Sequence, residues 1–278
     1  MKRILVLLTV VACLASCANG ASDALETANY IDTTNFLTLQ IEAQLPTASD
    51  DVTASVREQL LDVLYRQIDV IDNFGEEQLL KRFDGDASKL ATVVDYYGES
   101  LKEKLVPMIQ TDATDRLQFT DDGFVPKWEC AFSLKRVAST PAYWVFDSTN
   151  YLYLGGAHGG VSGVGFLTFN KKDGSLVEKF VDDSCAEALQ PVIREGLCAY
   201  LSNDGQTVSD AMLNNYLFLD GDIIPLPSQA PYPTKEGLVF TYQQYEIAPY
   251  ALGMPSFTVP YDKVKEFLTP EASAILAQ

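Results

Sequence analysis

The chain has 278 residues, of which 47% are hydrophobic, and its formal net charge at pH 7 is −18. A chain this acidic is not expected to bind nucleic acid, because such binding requires lysine and arginine side chains that neutralise phosphates. The composition is that of a globular protein with room for one large core or two smaller ones. A basic partner would be attracted electrostatically, although the charge can also serve solubility alone.

The first residues have the pattern of a bacterial lipoprotein signal peptide. Lys2 and Arg3 precede an apolar run over residues 4–14, which as a helix would extend about 16 Å and would not cross a bilayer. Residues 14–17, Leu-Ala-Ser-Cys, match the lipobox, so we expect cleavage of the signal peptide 1–16 and acylation of Cys17. Loss of the two basic residues would change the charge from −18 to −20. The alternative is an ordinary secreted protein in which Cys17 has no role.

The N-terminal half is predicted to contain a short tether at 17–29 and a domain at 30–115. Residues 35–46 alternate as a half-buried strand does, with apolar side chains at Leu37, Leu39, Ile41 and Ala43. Apolar residues at helical spacing follow Ser49 or Asp50 and continue to about residue 73. A second helix is predicted over 88–106 and is expected to end at Pro107, with a connector at 108–115.

Residues 116–278 are predicted to form a strand-rich C-terminal domain. The strands are expected at 127–137, in two pieces around 147–150, at 164–170 before an Asp173-Gly174 hairpin, and at 238–246 and 256–259. A helix is expected over 183–201, started or kinked by Pro191, and a short one from Tyr261. Helices beside antiparallel strands indicate an α+β fold with antiparallel sheets and packed helices, in two subdomains.

The cysteine content does not indicate a disulfide framework. Apart from Cys13 and Cys17, only Cys130, Cys185 and Cys198 are present. In one continuous helix, Cys185 and Cys198 would be about 19 Å apart. We therefore expect free structural thiols.

Residues 151–165 contain His158, the only histidine of the chain, in a segment where six of the eleven residues 155–165 are glycine. A phosphate-binding loop is not indicated, because its glycines would lead into a helix, whereas a strand is predicted here. A hydrolase nucleophile elbow needs GxSxG before a helix, and the similar segment 160–164 ends in valine. The structural alternative is a turn in which glycines adopt positive φ.

No specific pattern indicates a metal or cofactor. One histidine and three scattered thiols are too few for a typical zinc site, and the DGD segments at 84–86 and 220–222 do not extend to a calcium-binding loop. No cofactor is therefore expected. A glycoside hydrolase needs only two carboxylates, and 38 acidic residues leave that alternative open.

Two blocks of residues together resemble a known family. The first is YLYLGGAHGG at 151–160, followed by a strand and the Asp173-Gly174 turn. The second, about 70 residues later, is 237–253 followed by Pro260-Tyr261. These blocks are similar to the extracytoplasmic domain of RsiV-type anti-sigma factors, which also accompanies PdaC-type peptidoglycan deacetylases as a non-catalytic neighbour. The resemblance covers about 145–268 and extends loosely to the preceding domain.

The resemblance implies an α+β module that binds at the cell envelope, and in RsiV-type proteins such a module senses lysozyme. It supplies no established catalytic residues. We therefore expect a lipid-anchored, extracytoplasmic binding module for a cell-wall glycan or a basic, lysozyme-like protein, with acyl chains as its membrane contact. The candidate contacts are Tyr151, Tyr153, Gly155, Gly156 and His158. The alternatives are a carbohydrate-active hydrolase using an Asp/Glu pair and a structural lipoprotein without a ligand.

Overall fold

A five-stranded mixed sheet forms the first layer of the structure. The computed structural model describes residues 23–47, 50–69, 80–119, 126–156, 159–202, 207–219 and 221–277. The sheet has the order β1-β2-β3-β4-β5, with strands at Leu25–Thr33, Leu37–Pro46, Trp128–Ser139, Tyr143–Tyr153 and Val161–Asn170. The β2–β3 pair is parallel and the other three pairs are antiparallel.

Two helices pack on one face of this sheet and connect β2 to β3. They are α1 (Asp51–Asp69) and α2 (Leu90–Phe119). The Asp50 carboxylate accepts a hydrogen bond from the Thr53 backbone N–H at 2.8 Å, so it caps α1 as predicted. Because a crossover through two helices separates β2 from β3, these strands can run parallel. The expectation of purely antiparallel sheets is therefore wrong for this pair.

Helix α2 continues through Pro107, so the predicted end at this residue and the predicted connector are wrong. Proline removes one helical hydrogen bond and disfavours a helix interior. Packing beyond the proline offsets this cost, since Ile109 is 3% exposed and belongs to the core. The Thr111 hydroxyl also donates to the Pro107 carbonyl at 3.1 Å.

A second, smaller layer comprises the C-terminal strands and helices. The antiparallel sheet β6-β7-β8 has strands at Tyr232–Pro233, Gly237–Thr241 and Ser256–Pro260. The helices are α3 (Ala186–Leu201), α4 (Asp210–Leu213), α5 (Tyr261–Val264) and α6 (Pro270–Leu276). The helix over 183–201 and the one from Tyr261 are thus confirmed, with Pro191 inside α3.

Strand β4 is buried on both faces and separates two hydrophobic cores. Trp144 and Phe146 belong to the core under α1 and α2, whereas Tyr143 and Val145 belong to the core under β7, β8 and α3. Alternating side chains of one strand point to opposite faces, which explains the division. β4 is a single strand rather than the two pieces predicted. The α+β class is confirmed, and the two sheets are compatible with two subdomains.

The expected tether and domain boundary differ from the structure. β1 begins at Leu25, inside the segment 17–29, and Leu25 pairs with Pro46. β2 pairs with β3, so segments 30–115 and 116–278 contribute strands to one sheet. Only Ala28 of β1 is buried, which is why this edge strand lacked an apolar signal. In the described ranges, no helix combines the length and apolar character that a bilayer span requires.

Candidate binding surface around the Gly155–Gly160 loop

The end of β4 presents two tyrosines on one side of the sheet. Leu152 between them is 8% exposed and packs in the core under α1 and α2. Tyr151 and Tyr153 point to the opposite face, as strand alternation requires, and are half-buried. Both predicted tyrosines therefore reach the protein surface.

The first two glycines of the loop have different surroundings. Gly155 has φ +74°, and a Cβ there would lie 2.9 Å from the Pro126 Cγ, so both backbone conformation and space require glycine. A Cβ on Gly156 would have no heavy atom within 4 Å. The Tyr153 hydroxyl donates to the Gly156 carbonyl at 3.2 Å. His158 and Cys17 lie outside the described residues, so their predicted roles remain predictions.

The last two glycines of the loop lie against tyrosine side chains. A Cβ on Gly160 would approach the Tyr151 ring to 2.3 Å, and one on Gly159 would approach the Tyr250 hydroxyl to 2.4 Å. The Tyr250 hydroxyl donates to the Gly160 carbonyl at 2.7 Å. These glycines therefore allow the loop to pack on rings from two separate parts of the chain.

A fourth tyrosine, Tyr245, adjoins Tyr250 and projects into solvent. Its side chain is 56% exposed, and the centroids of the two rings are 5.7 Å apart. Its φ of +65° is in the left-handed region, which a bulky residue rarely adopts. Such a conformation persists only where surrounding contacts impose it.

Side-chain hydrogen bonds attach this segment to the edge of β5. The Gln243 amide accepts from the Val164 N–H at 3.0 Å and donates to the Val164 carbonyl at 2.8 Å. Gln244 accepts from the Ser162 N–H at 2.8 Å. The two amides thus occupy part of the hydrogen-bonding edge that a further strand would use.

The Glu246 carboxylate fixes the same turn from the other side. Its two oxygens accept from the backbone N–H groups of Ser228 at 2.6 Å and of Gln243 at 2.7 Å. Charge-assisted bonds of this kind are stronger than neutral ones. Together with the glutamine contacts they hold Tyr245 in its unfavourable backbone conformation.

We call Tyr151, Tyr153, Tyr245 and Tyr250 the tyrosine surface. Burial, followed by the charge of Glu129, raises the pKa of Tyr151, so its hydroxyl stays protonated at neutral pH. The rings offer apolar area together with hydrogen-bonding hydroxyls. Such a surface is suited to binding.

Two members of the tyrosine surface were missing from the sequence-predicted site. Tyr245 and Tyr250 were visible in the second resemblance block at 237–253, but not as neighbours of the glycine loop. Their hydrogen bonds and ring contacts bring this block onto the first one, at 151–160. The resemblance to one family was the only sequence signal that linked the two blocks, because both are part of the same family pattern.

Three observations bear on catalytic chemistry in the described residues. Among them, no three His, Cys, Asp or Glu side chains form a metal-binding cluster. Burial raises the pKa of the Cys130 thiol to about 12, which makes it unreactive. A cavity beside the turn that joins β3 to β4 has no carboxylate in its lining, and one beside α1 has only Glu26, which pairs with Arg57 at 2.8 Å.

Comparisons with known proteins concern the fold and the C-terminal part. Residues 180–262 match the model of a family described as a protein of unknown function, DUF3298. Tyr245 and Tyr250 lie within this match. No curated protein matches the chain.

Two crystal structures of DUF3298 family proteins are similar to this chain. The one from Bacteroides fragilis has a TM-score of 0.65 and 17% identity, covering 93% of this chain and 100% of its own. The one from Pseudomonas aeruginosa PAO1 has a TM-score of 0.53 and 14% identity, covering 91% and 98%. Identities this low establish a shared fold only. The chain therefore contains a segment that matches DUF3298 and has the fold of two proteins of that family.

Proposed function

We propose that this protein is a lipid-anchored binding module of the cell envelope and that its tyrosine surface binds a basic, lysozyme-like protein. The observation that carries the proposal is the convergence of four tyrosines from two distant segments on one anchored surface. Tyrosines concentrate binding energy at protein interfaces, since they offer a large contact area at little cost in conformational entropy. The net charge of −18, which becomes −20 without Lys2 and Arg3 of the signal peptide, favours a basic partner.

The contacts of Asp23 support an attachment point far from the tyrosine surface. The Asp23 carboxylate accepts hydrogen bonds from the Trp144 indole at 3.0 Å and from the Lys171 ammonium at 2.8 Å. Trp144 and Tyr151 are separated by about 23 Å along β4, at about 3.3 Å per residue. An acyl anchor on Cys17 would be attached six positions before Asp23, which binds Trp144 at the end of β4 opposite to Tyr151.

A cell-wall glycan is the second candidate ligand. The observation that favours it is the pair of Tyr245 and Tyr250, whose rings are tilted by 39° to each other, with Tyr245 largely exposed. Phenol rings present an apolar face and a hydroxyl donor, which suit a sugar with C–H faces and hydroxyl groups. No observation favours a hydrolase, and the two cavities described above do not have two carboxylates in their linings.

Calorimetric titration tests the proposal with lysozyme and, separately, with soluble peptidoglycan fragments. The informative variant is Gly160→Ala, whose Cβ would displace the Tyr151 ring. Ser273→Ala is the control, because Ser273 lies on the exposed side of α6 and the change leaves the loop and the four tyrosines intact. We expect wild type and control to bind lysozyme, less tightly as salt rises from about 0.05 to about 0.15 M, and the Gly160 variant to bind about tenfold less tightly.

Two results contradict this proposal. Binding of the glycan fragments alone would replace the protein partner by the second candidate. Binding of neither would refute a role for the tyrosine surface in either interaction. The lipid anchor is tested separately by metabolic labelling with palmitate, which we expect for wild type and not for Cys17→Ser.

A further inference from the structure

A cavity of about 330 Å³ lies between the turn that joins β3 to β4 and the C-terminal helix α6. Its apolar wall is formed by side chains from both elements, namely Pro141, Ala142, Ile275 and Leu276. The volume is at the lower end of the range of about 300–1,000 Å³ found for small-molecule sites. A compact apolar group would fit this space.

Lys235 supplies the one ammonium group of the lining, and no carboxylate faces it there. Within the described ranges Lys235 forms no salt bridge, although the whole chain has 38 acidic and only 20 basic residues. Its charge is therefore available to an anionic ligand.

Two tyrosines also line the cavity, together with Thr140 and Thr234. The Tyr261 hydroxyl donates to the Thr234 carbonyl at 2.7 Å, which fixes that ring. Tyr143 is 8% exposed, and its hydroxyl has no hydrogen-bond partner among the residues that the structure describes. Burial raises the pKa of Tyr143, so this hydroxyl remains a donor at neutral pH. The hydroxyl oxygen is not among the buried polar atoms that lack a partner, so it is open to solvent and can donate to a ligand acceptor in place of water.

We propose that this cavity binds a small monocarboxylate with a compact apolar body. The carboxylate pairs with the Lys235 ammonium and accepts a hydrogen bond from the Tyr143 hydroxyl, while the apolar body contacts Ala142 and Ile275. A phosphate is disfavoured, since one ammonium and apolar walls provide too few donors for a dianion. The site is independent of the tyrosine surface, because Tyr143 and Tyr153 lie at opposite ends of β4.

Hexanoate is a suitable probe, with the neutral hexanamide as its isosteric control. Both are titrated into the purified protein and followed by backbone amide chemical shifts. We expect hexanoate to cause saturable shifts at Ala142, Ile275 and Leu276, and hexanamide to bind about tenfold less tightly, since it lacks the charge-assisted contact.

Two lysine variants distinguish a site from general charge attraction. Lys235→Met keeps the apolar stem of an exposed residue and should weaken hexanoate binding about tenfold without changing hexanamide binding. Lys265→Met removes the same charge from an exposed lysine outside the cavity and should change neither. The proposal is overturned if no saturable shifts occur up to about 20 mM hexanoate, or if Lys235→Met binds it as wild type does.

Discussion

Replacement of Tyr245 by asparagine is expected to leave stability nearly unchanged while weakening partner binding. The φ of +65° at Tyr245 is unfavourable for most side chains by about 1–2 kcal/mol, and asparagine tolerates it better. The substitution also removes the ring contact with Tyr250, and an aromatic pair contributes about 0.5–1.5 kcal/mol. These opposing terms should cancel to within about 1 kcal/mol.

Urea unfolding and calorimetry with lysozyme measure the two effects of this substitution. The free energy of unfolding of Tyr245→Asn should match that of wild type, whereas Tyr242→Ala, which removes a fully buried ring, should lose about 3–5 kcal/mol. The affinity of Tyr245→Asn for lysozyme should fall about tenfold. A loss of more than about 2 kcal/mol in the free energy of unfolding would refute the reasoning about backbone strain. An unchanged affinity would exclude Tyr245 from the interface.

Three further predictions concern stability and reactivity. Burial would raise the pKa of the Asp23 carboxyl, but hydrogen bonds, first from Lys171, lower it from 3.8 to about 2. The stabilisation by this carboxylate should therefore be present above about pH 4 and be lost as pH falls towards 2. The difference in unfolding free energy between wild type and Asp23→Asn should shrink over that range. A difference that stays constant with pH would contradict this prediction. Gly237→Ala should lower the free energy of unfolding, measured in urea, by about 2 kcal/mol or more, because its Cβ would lie 2.0 Å from the Val259 carbonyl oxygen. A variant as stable as wild type would show that β7 and β8 can move apart at little cost. Burial raises the pKa of Cys130 to about 12. Iodoacetamide at about pH 8 should therefore alkylate this thiol only after the protein unfolds, which peptide mass spectrometry measures. Rapid alkylation of the native protein would contradict the burial of Cys130.

Local sequence patterns predicted the elements whose burial follows a simple period. The alternation from Leu37 to Ala43 corresponds to β2, and the helical spacing after Asp50 corresponds to α1. Both elements place one face on a core, so their side chains report secondary structure directly. The continuation of α2 through Pro107 was not predictable in this way, because it depends on the burial of Ile109 against other elements.

Contacts between segments distant in the sequence could not be predicted from local sequence patterns. The parallel pairing of β2 with β3 depends on the crossover through α1 and α2. The tyrosine surface likewise depends on contacts over long separations, such as the Tyr250 hydroxyl with the Gly160 carbonyl. The sequence identified Tyr151 and Tyr153 through their place beside the glycines, whereas Tyr245 and Tyr250 reach the loop through tertiary packing.

Hydrogen exchange of the protein with and without lysozyme tests the central claim most directly. The account predicts slower amide exchange at 151–164 and 242–250 in the complex, because these segments form the tyrosine surface and its support. Exchange at the other end of β4, where Trp144 binds Asp23, should stay unchanged. Slower exchange only at the Trp144 end of β4, or no change anywhere, would contradict the proposal that the tyrosine surface binds a basic, lysozyme-like protein.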